Sequence, residues 1–206
     1  MNKIKNIIFD FGGVLIDWNP RYLYNKYFDT EEQTEYFLQH ICTSTWNAQM
    51  DAGKPFSEAI DELSAEYPEY VEAINIYHTR WIEMIGGEID GASELIDDLK
   101  TEEFHIYGLT NWAAETLDLC KKQYQFFDKL DGMVVSSEVR MIKPDPGIYK
   151  ILLSRYSLLP ENSIFIDDSL CNISGAESVG IKAIHFENMS QLRTAIENVT
   201  GYKLTK

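Results

Sequence analysis

Basic residues are scarce in this chain of 206 residues: 18 lysines and arginines stand against 33 aspartates and glutamates, a formal net charge of −15. Such a surface repels polyanions, which argues against a nucleic-acid partner or an anionic membrane surface. It also makes any cation inside a cleft informative. Cysteine is sparse too. Cys42, Cys120 and Cys171 are odd in number, widely spaced and free of any Cys-x-x-Cys pair. That pattern argues against a disulfide framework or a zinc site and predicts reduced thiols packed as small apolar residues. The four histidines, His40, His78, His105 and His185, are isolated and receive no role. No apolar run is long enough to span a bilayer. The opening Met-Asn-Lys-Ile-Lys-Asn-Ile-Ile-Phe-Asp starts as a signal peptide would, but Asp10 ends the run early and no small-residue cleavage site follows. The expectation is a cytoplasmic protein. Internal repeats and low-complexity linkers are missing as well, and nothing in the sequence sets an oligomeric state.

What is present is an ordered alternation. Ile4 to Phe9 is a short β-rich stretch that ends at Asp10 and a Gly-Gly pair, as a buried strand does when it delivers an acid to a loop. From about Asn19 to Gly86 aromatic and aliphatic residues recur at three- and four-residue spacing, which predicts a helical block. Ser57 is the expected N-cap of one of its helices, and Gly86-Gly87 its expected close. From Gly91 onward, helices near 92–100, 113–123, 146–156, 170–179 and 189–199 alternate with apolar strands near 105–109, 133–136, 163–166 and 182–185. Short apolar strands separated by amphipathic helices predict an α/β fold with a doubly wound parallel sheet. The domain expectation is a core of residues 1–17 and 87–206 with a helical insert over 18–86.

Ligands of such sheets bind beyond the carboxyl ends of the strands. Asp10, Thr110-Asn111, Lys143-Pro144-Asp145-Pro146 and Asp167-Asp168-Ser169 all follow predicted strands. They bring acids, among them the three carboxylates of Asp10, Asp167 and Asp168, a hydroxyl and amide, and one lysine to a single rim. Carboxylates so placed repel one another unless a hard divalent cation joins them, and magnesium takes carboxylates, a carbonyl and waters. A phosphate there would meet the Thr110 hydroxyl, main-chain N–H groups at Asn111 and the start of the next helix, and the Lys143 ammonium. Phosphoryl transfer needs mainly positioning and charge neutralisation. Asp10 is therefore the candidate nucleophile, forming an aspartyl-phosphate that water hydrolyses.

Phe9-Asp10-Phe11-Gly12-Gly13-Val14, Gly108-Leu109-Thr110-Asn111, Lys143-Pro144-Asp145-Pro146 and Phe165-Ile166-Asp167-Asp168-Ser169 together resemble, in order, the four motifs of the haloacid dehalogenase-like hydrolase superfamily. The helical block resembles that superfamily's small α-helical cap, inserted after the first strand of a Rossmann-like core. The resemblance implies Asp10 as nucleophile and metal ligand, with the Gly12 carbonyl on the same magnesium and Gly12 beside the substrate. It implies Thr110 and Asn111 as phosphate-holding residues and Lys143 as the charge balance between Asp10 and the phosphoryl group. Asp168 is the expected direct metal ligand, with Asp167 a ligand or supporting partner. The implied substrate is a small phosphorylated metabolite.

The chain departs from the pattern at Gly12, where most phosphatases of the superfamily carry a second aspartate that acts as acid and base. The 2-haloacid dehalogenases also lack that aspartate and use the same nucleophile on carbon, but they have no need for Asp167-Asp168. Sugar-phosphate phosphatases with a Phe-Asp-x-Gly-x-Val motif, including α-D-glucose-1-phosphate phosphatases, resemble the chain better. A third alternative is a binding module that keeps the fold without turnover. With no acid at Gly12 the sequence predicts activity that falls steeply as leaving-group pKa rises. Asp17 is either a proton source or the cap of the first insert helix. Trp18, Trp46, Trp112 and Arg140 are candidate cleft-lining residues.

Overall fold

The computed structural model describes residues 4–204. Residues 1–3 and 205–206, assigned to the core from sequence, lie outside the described residues. The first strand, β1 (Asn6–Phe9), is followed by β2 (Ile16–Trp18) and five helices: α1 (Arg21–Tyr27), α2 (Glu31–His40), α3 (Ser44–Asp51), α4 (Phe56–Glu66) and α5 (Val71–Thr79). Then come β3 (Ile85–Glu88), α6 (Ala92–Thr101), β4 (His105–Thr110), α7 (Ala114–Gln123), β5 (Gly132–Val135) and the single turn α8 (Ser136–Val139). The chain closes with α9 (Pro146–Arg155), β6 (Ser163–Asp167), α10 (Leu170–Ser178), β7 (Lys182–His185) and α11 (Met189–Thr200).

Five strands form one sheet in the order β5-β4-β1-β6-β7, and every neighbouring pair is parallel. This is the predicted doubly wound α/β core. Its central strand reads Asn-Ile-Ile-Phe without polar alternation because both faces are covered. Ile7 and Phe9 pack with Leu95, Leu99, Leu117, Leu192 and Ile196 of α6, α7 and α11. Ile8 faces the other way, toward Ile148, Tyr149, Leu152 and Ala176 of α9 and α10. Each such fully buried side chain contributes roughly 1.5–3 kcal/mol relative to exposure. The register aligns Phe9 with Gly108 on one side and Ile166 on the other, so the residues following β1, β4 and β6 emerge at one edge.

β2 and β3 form a separate antiparallel pair that carries the chain out to the helices and back. The expected close of the helical block at Gly86-Gly87 is thereby corrected. The block ends in the 3-10 turn Trp81–Met84, and both glycines belong to β3. The carbonyls at the end of that turn are taken up without a glycine cap: Ile82 accepts from the Ile85 N–H, and Met84 accepts from the Asn19 N–H (2.8 Å). Ser57 is also corrected as an N-cap. α4 begins two residues earlier than that cap implies, at Phe56 behind Pro55, whose φ of −60° suits a helix entry, and Phe56 is buried. Asp17 does not cap α1 either: Asn19 Oδ1 accepts the Arg21 N–H (3.0 Å), while Asp17 Oδ2 accepts the Tyr22 hydroxyl (2.6 Å). Cys42 and Cys120 are buried free thiols as predicted, whereas Cys171 is exposed on the outer face of α10.

Aromatic contacts hold the helices of the insert together. Tyr24 meets Phe37 with ring centroids 4.7 Å apart, and Trp46 meets Tyr77 edge-on at 5.0 Å. Three contacts tie the insert to the sheet domain. Trp81 packs on Trp112 at 5.5 Å, His78 Nε2 lies 3.3 Å from Glu115 Oε2, and Ser136 Oγ donates to the Asp51 carbonyl (2.6 Å). No helix among the described residues is long and apolar enough to cross a membrane.

Candidate active site

Asp10 leaves the end of β1 still in register, its N–H bonded to the Ile166 carbonyl (2.9 Å). Its carboxylate is buried, and Oδ1 accepts from the Phe11 N–H (2.7 Å) and from Lys143 Nζ at 2.8 Å. Lys143 is 3% exposed and also donates to Asp167 Oδ2 at 2.7 Å. Desolvation works against its charge, but the two carboxylates overcome this and raise its pKa. Asp10 is raised to about 7, first by burial, with Lys143 acting in the opposite sense and Asp167 in the same one.

Asp167, at the end of β6, is saturated with donors. Besides Lys143 it accepts from the Ser169 N–H (2.8 Å) and from Asn172 Nδ2 at both oxygens (3.0 and 3.1 Å). Asp168 differs: its side chain is exposed toward the cleft, and His185 Nε2 donates to its carbonyl at 2.9 Å. Its pKa is raised by desolvation and then by Asp167. Gly13 has φ +76°, and a Cβ there would collide with the Asp168 carboxylate, so glycine lets this loop and Asp168 approach. One oxygen each from Asp10, Asp167 and Asp168 lie within 4.8 Å of one another. Three carboxylates beside one ammonium leave an excess of negative charge, which suits a hard cation. The Gly12 carbonyl receives no hydrogen bond among the described residues and completes an all-oxygen donor set.

On the other side of β1, Thr110 ends β4 with its hydroxyl buried and, among the described residues, without a hydrogen-bond partner. An orphaned donor of this kind costs roughly 1–3 kcal/mol unless a ligand satisfies it. The Asn111 side chain is committed to the Lys143 backbone: Nδ2 donates to the carbonyl (3.0 Å), and Oδ1 accepts the N–H (2.8 Å). Asn111 therefore offers an anion its main-chain N–H, and its amide fixes the lysine. The Trp112 and Ala114 N–H groups are held by Ser136 Oγ and Ser137 Oγ, both at 2.9 Å.

These groups open on a cleft of about 390 Å³. Asp10, Gly12, Thr110, Asn111 and Asp168 line its floor at the strand ends. Trp112 and Trp18 line it as predicted, and Phe56, Trp81, Asn47 and Asp51 of the insert line it without having been predicted. Trp46 instead packs on Tyr77 and donates through Nε1 to the Ala59 carbonyl (3.3 Å). Arg140 ends α8 with φ 54°, its stem beside Gly53, and Asp17 is held by Tyr22 away from the cleft lining.

A family model for haloacid dehalogenase-like hydrolases matches residues 7–186. The chain is 27% identical over 209 residues to a sesquiterpene phosphatase of Aspergillus oryzae, covering 94% of each. It is 22% identical over 182 residues to a phosphorylated carbohydrates phosphatase of Thermotoga maritima, covering 88% of this chain and 84% of that one. Among solved structures, a HAD family enzyme of Bacteroides thetaiotaomicron in complex with magnesium and inorganic phosphate superposes with a TM-score of 0.68 at 25% identity. That match covers 92% of this chain and 98% of the other. An L-2-haloacid dehalogenase of Xanthobacter autotrophicus shares the fold at a TM-score of 0.67 and 18% identity, covering 98% of this chain and 85% of that one. With the sheet order, the strand-end acids and these matches together, the chain belongs to the haloacid dehalogenase-like hydrolase family and is a hydrolase.

Proposed function

We propose that this hydrolase is a magnesium-dependent phosphatase of a small phosphorylated metabolite, acting through an aspartyl-phosphate on Asp10. The observation that carries the reading is the cluster of three carboxylates within 4.8 Å around one buried lysine, facing a cleft whose floor also holds the unpartnered Thr110 hydroxyl. Asp10, Asp168 and the Gly12 carbonyl are the groups that would hold the cation, while Asp167 orients Lys143 and is itself fixed by Asn172. Bound magnesium supplies charge neutralisation at the phosphoryl oxygens. Asp10 attacks phosphorus in line, Lys143 keeps the nucleophile oriented, and Thr110 Oγ1 with the Asn111 N–H donates to the phosphoryl oxygens. Water then cleaves the aspartyl-phosphate and frees Asp10.

The insert over 18–86 serves as a cap that closes on the floor and selects the leaving group. Among the described residues the cleft lining holds four aromatics, Trp18, Phe56, Trp81 and Trp112, and no cationic side chain. That supports an ester whose organic part is uncharged. A sugar monophosphate meets this with its C–H faces on the indoles. A terpenoid phosphate is a second reading, favoured by the same apolar wall and by the resemblance to a sesquiterpene phosphatase. A 2-haloacid suits the wall less well, because its carboxylate would find no cation there.

The test is hydrolysis of 4-nitrophenyl phosphate, then of a panel of sugar and prenyl monophosphates, with and without magnesium. Asp10→Asn is expected to lower turnover by at least about 10³-fold, as loss of a nucleophile does. Release of halide from 2-chloropropionate, with no phosphate released from any ester, would overturn the reading.

A further inference from the structure

We infer that Asp51, at the end of α3 in the insert, is the acid–base residue of this site, in place of the carboxylate that position 12 lacks. The assignment rests on the phosphatase reading above. Asp51 lines the same cleft as Asp10, but from the wall that the helical insert supplies: Asp10, Thr110 and Asp168 come from the strand ends, and Asp51 from the end of α3. An ester with phosphorus over Asp10 directs its leaving oxygen away from the nucleophile, which is toward that wall.

Three links fix Asp51 there. Its carbonyl accepts from Ser136 Oγ (2.6 Å), and the same oxygen of Ser136 accepts the Trp112 N–H (2.9 Å), directly after Thr110-Asn111. Gly53, two residues on, has φ +97° and lies so close to the Ser137 carbonyl that a Cβ would approach it to 2.8 Å. The carboxylate itself accepts from Asn47 Nδ2 at Oδ2 (3.1 Å), and Asn47 is oriented by the Tyr77 hydroxyl on its Oδ1 (3.0 Å). Among the described residues no other donor reaches this carboxylate, so Oδ1 remains available to a ligand. Burial pushes Asp51 up to about 7, against the attraction of Lys143; Tyr77 and Asn47 face it from the insert, and the stem of Arg140 lies near Gly53. A carboxyl poised there carries a proton in part at neutral pH, as an acid–base residue needs.

The steps balance. As the Asp10 Oδ–phosphorus bond forms and the ester P–O bond breaks, the Asp51 carboxyl gives its proton to the departing oxygen. The resulting carboxylate then takes a proton from the water that attacks phosphorus from the vacated side. Phosphate leaves, and Asp10 is again ionised and Asp51 again protonated. With Asp51 as the acid, the unmodified protein should show a shallow leaving-group dependence, whereas Gly12 alone predicts a steep one.

The experiment compares the magnesium-loaded protein with Asp51→Asn, whose amide oxygen keeps the Asn47 bond, on 4-nitrophenyl phosphate and on glycerol phosphate. The expected result is a loss on the order of 10²–10⁴-fold on glycerol phosphate. On the aryl ester, which leaves without a proton, the variant should release one equivalent of nitrophenolate per site in a burst and then stall as acid-quenchable phosphoenzyme. Gly12→Asp in the Asp51→Asn background should restore turnover of both esters, because a Cβ at Gly12 meets nothing within 4 Å. Equal loss on both esters without a burst, or no loss on either, overturns the assignment. No magnesium-dependent turnover of either ester by the unmodified protein overturns the phosphatase reading instead.

Discussion

Burial raises the Asp51 carboxyl from an ordinary 3.8 to about 7. The folded state therefore holds this proton more tightly than the unfolded chain does. Below about pH 4 both states are protonated, and between 4 and 7 stability falls as pH rises, by up to about 1.4 kcal/mol per pH unit for one group. Asp51→Asn removes that loss. We expect the metal-free variant to be more stable than the unmodified protein at pH 8, by about 2 kcal/mol because the residue keeps part of its hydration. The gain should vanish by pH 4, and urea melts at the two pH values check both the size and the sign. Asp10, Thr110, Lys143 and Asp168 were legible in the sequence because each closes or follows an apolar strand. Asp51 and Asn172 were not. Each sits in a helix, where a polar residue with a buried partner looks the same as one facing water.

At the scale of elements, the end of α3 and the turn after it place Asp51 against α8, and Gly53 is the residue that permits the approach. Gly53→Ala forces a side chain into φ +97° and against the Ser137 carbonyl. Such strain costs on the order of 1–3 kcal/mol. The expected outcome is a drop of that size in denaturant melts, together with a fall in kcat on glycerol phosphate larger than the fall on 4-nitrophenyl phosphate. Strands and helices from Gly91 onward were readable from hydrophobic periodicity, and the observed elements begin and end within a few residues of it. β3 was not readable. Ile-Gly-Gly-Glu carries no strand pattern, and only pairing with β2 makes it one. The start of α4 at Phe56 was missed for a related reason: burial of Phe56 outweighs the capping preference of Ser57.

Across the whole molecule a formal charge of −15 opposes the approach of a phosphate dianion. At saturating magnesium, raising potassium chloride from 10 to 150 mM shortens the Debye length from about 30 to about 8 Å. We expect kcat/KM for an anionic ester to rise about two- to threefold over that range and kcat to stay nearly constant, since the field acts on encounter. A fall in kcat/KM would show that a local cation outweighs the global field, and steady-state kinetics at matched magnesium decide it. By itself the sequence determined the α/β class, the strand ends that bear the acids, the helical insert and the membership of the family. These depend on local periodicity and on motifs each contained within a few residues. Only the tertiary structure decided that Asp167 serves Lys143, that the Asn111 amide holds the lysine backbone, and that Asp51 lines the same cleft as Gly12. Those roles depend on hydrogen bonds that span 24 and 32 residues of chain and on which elements share one cleft, and neither leaves a trace in the spacing of side chains.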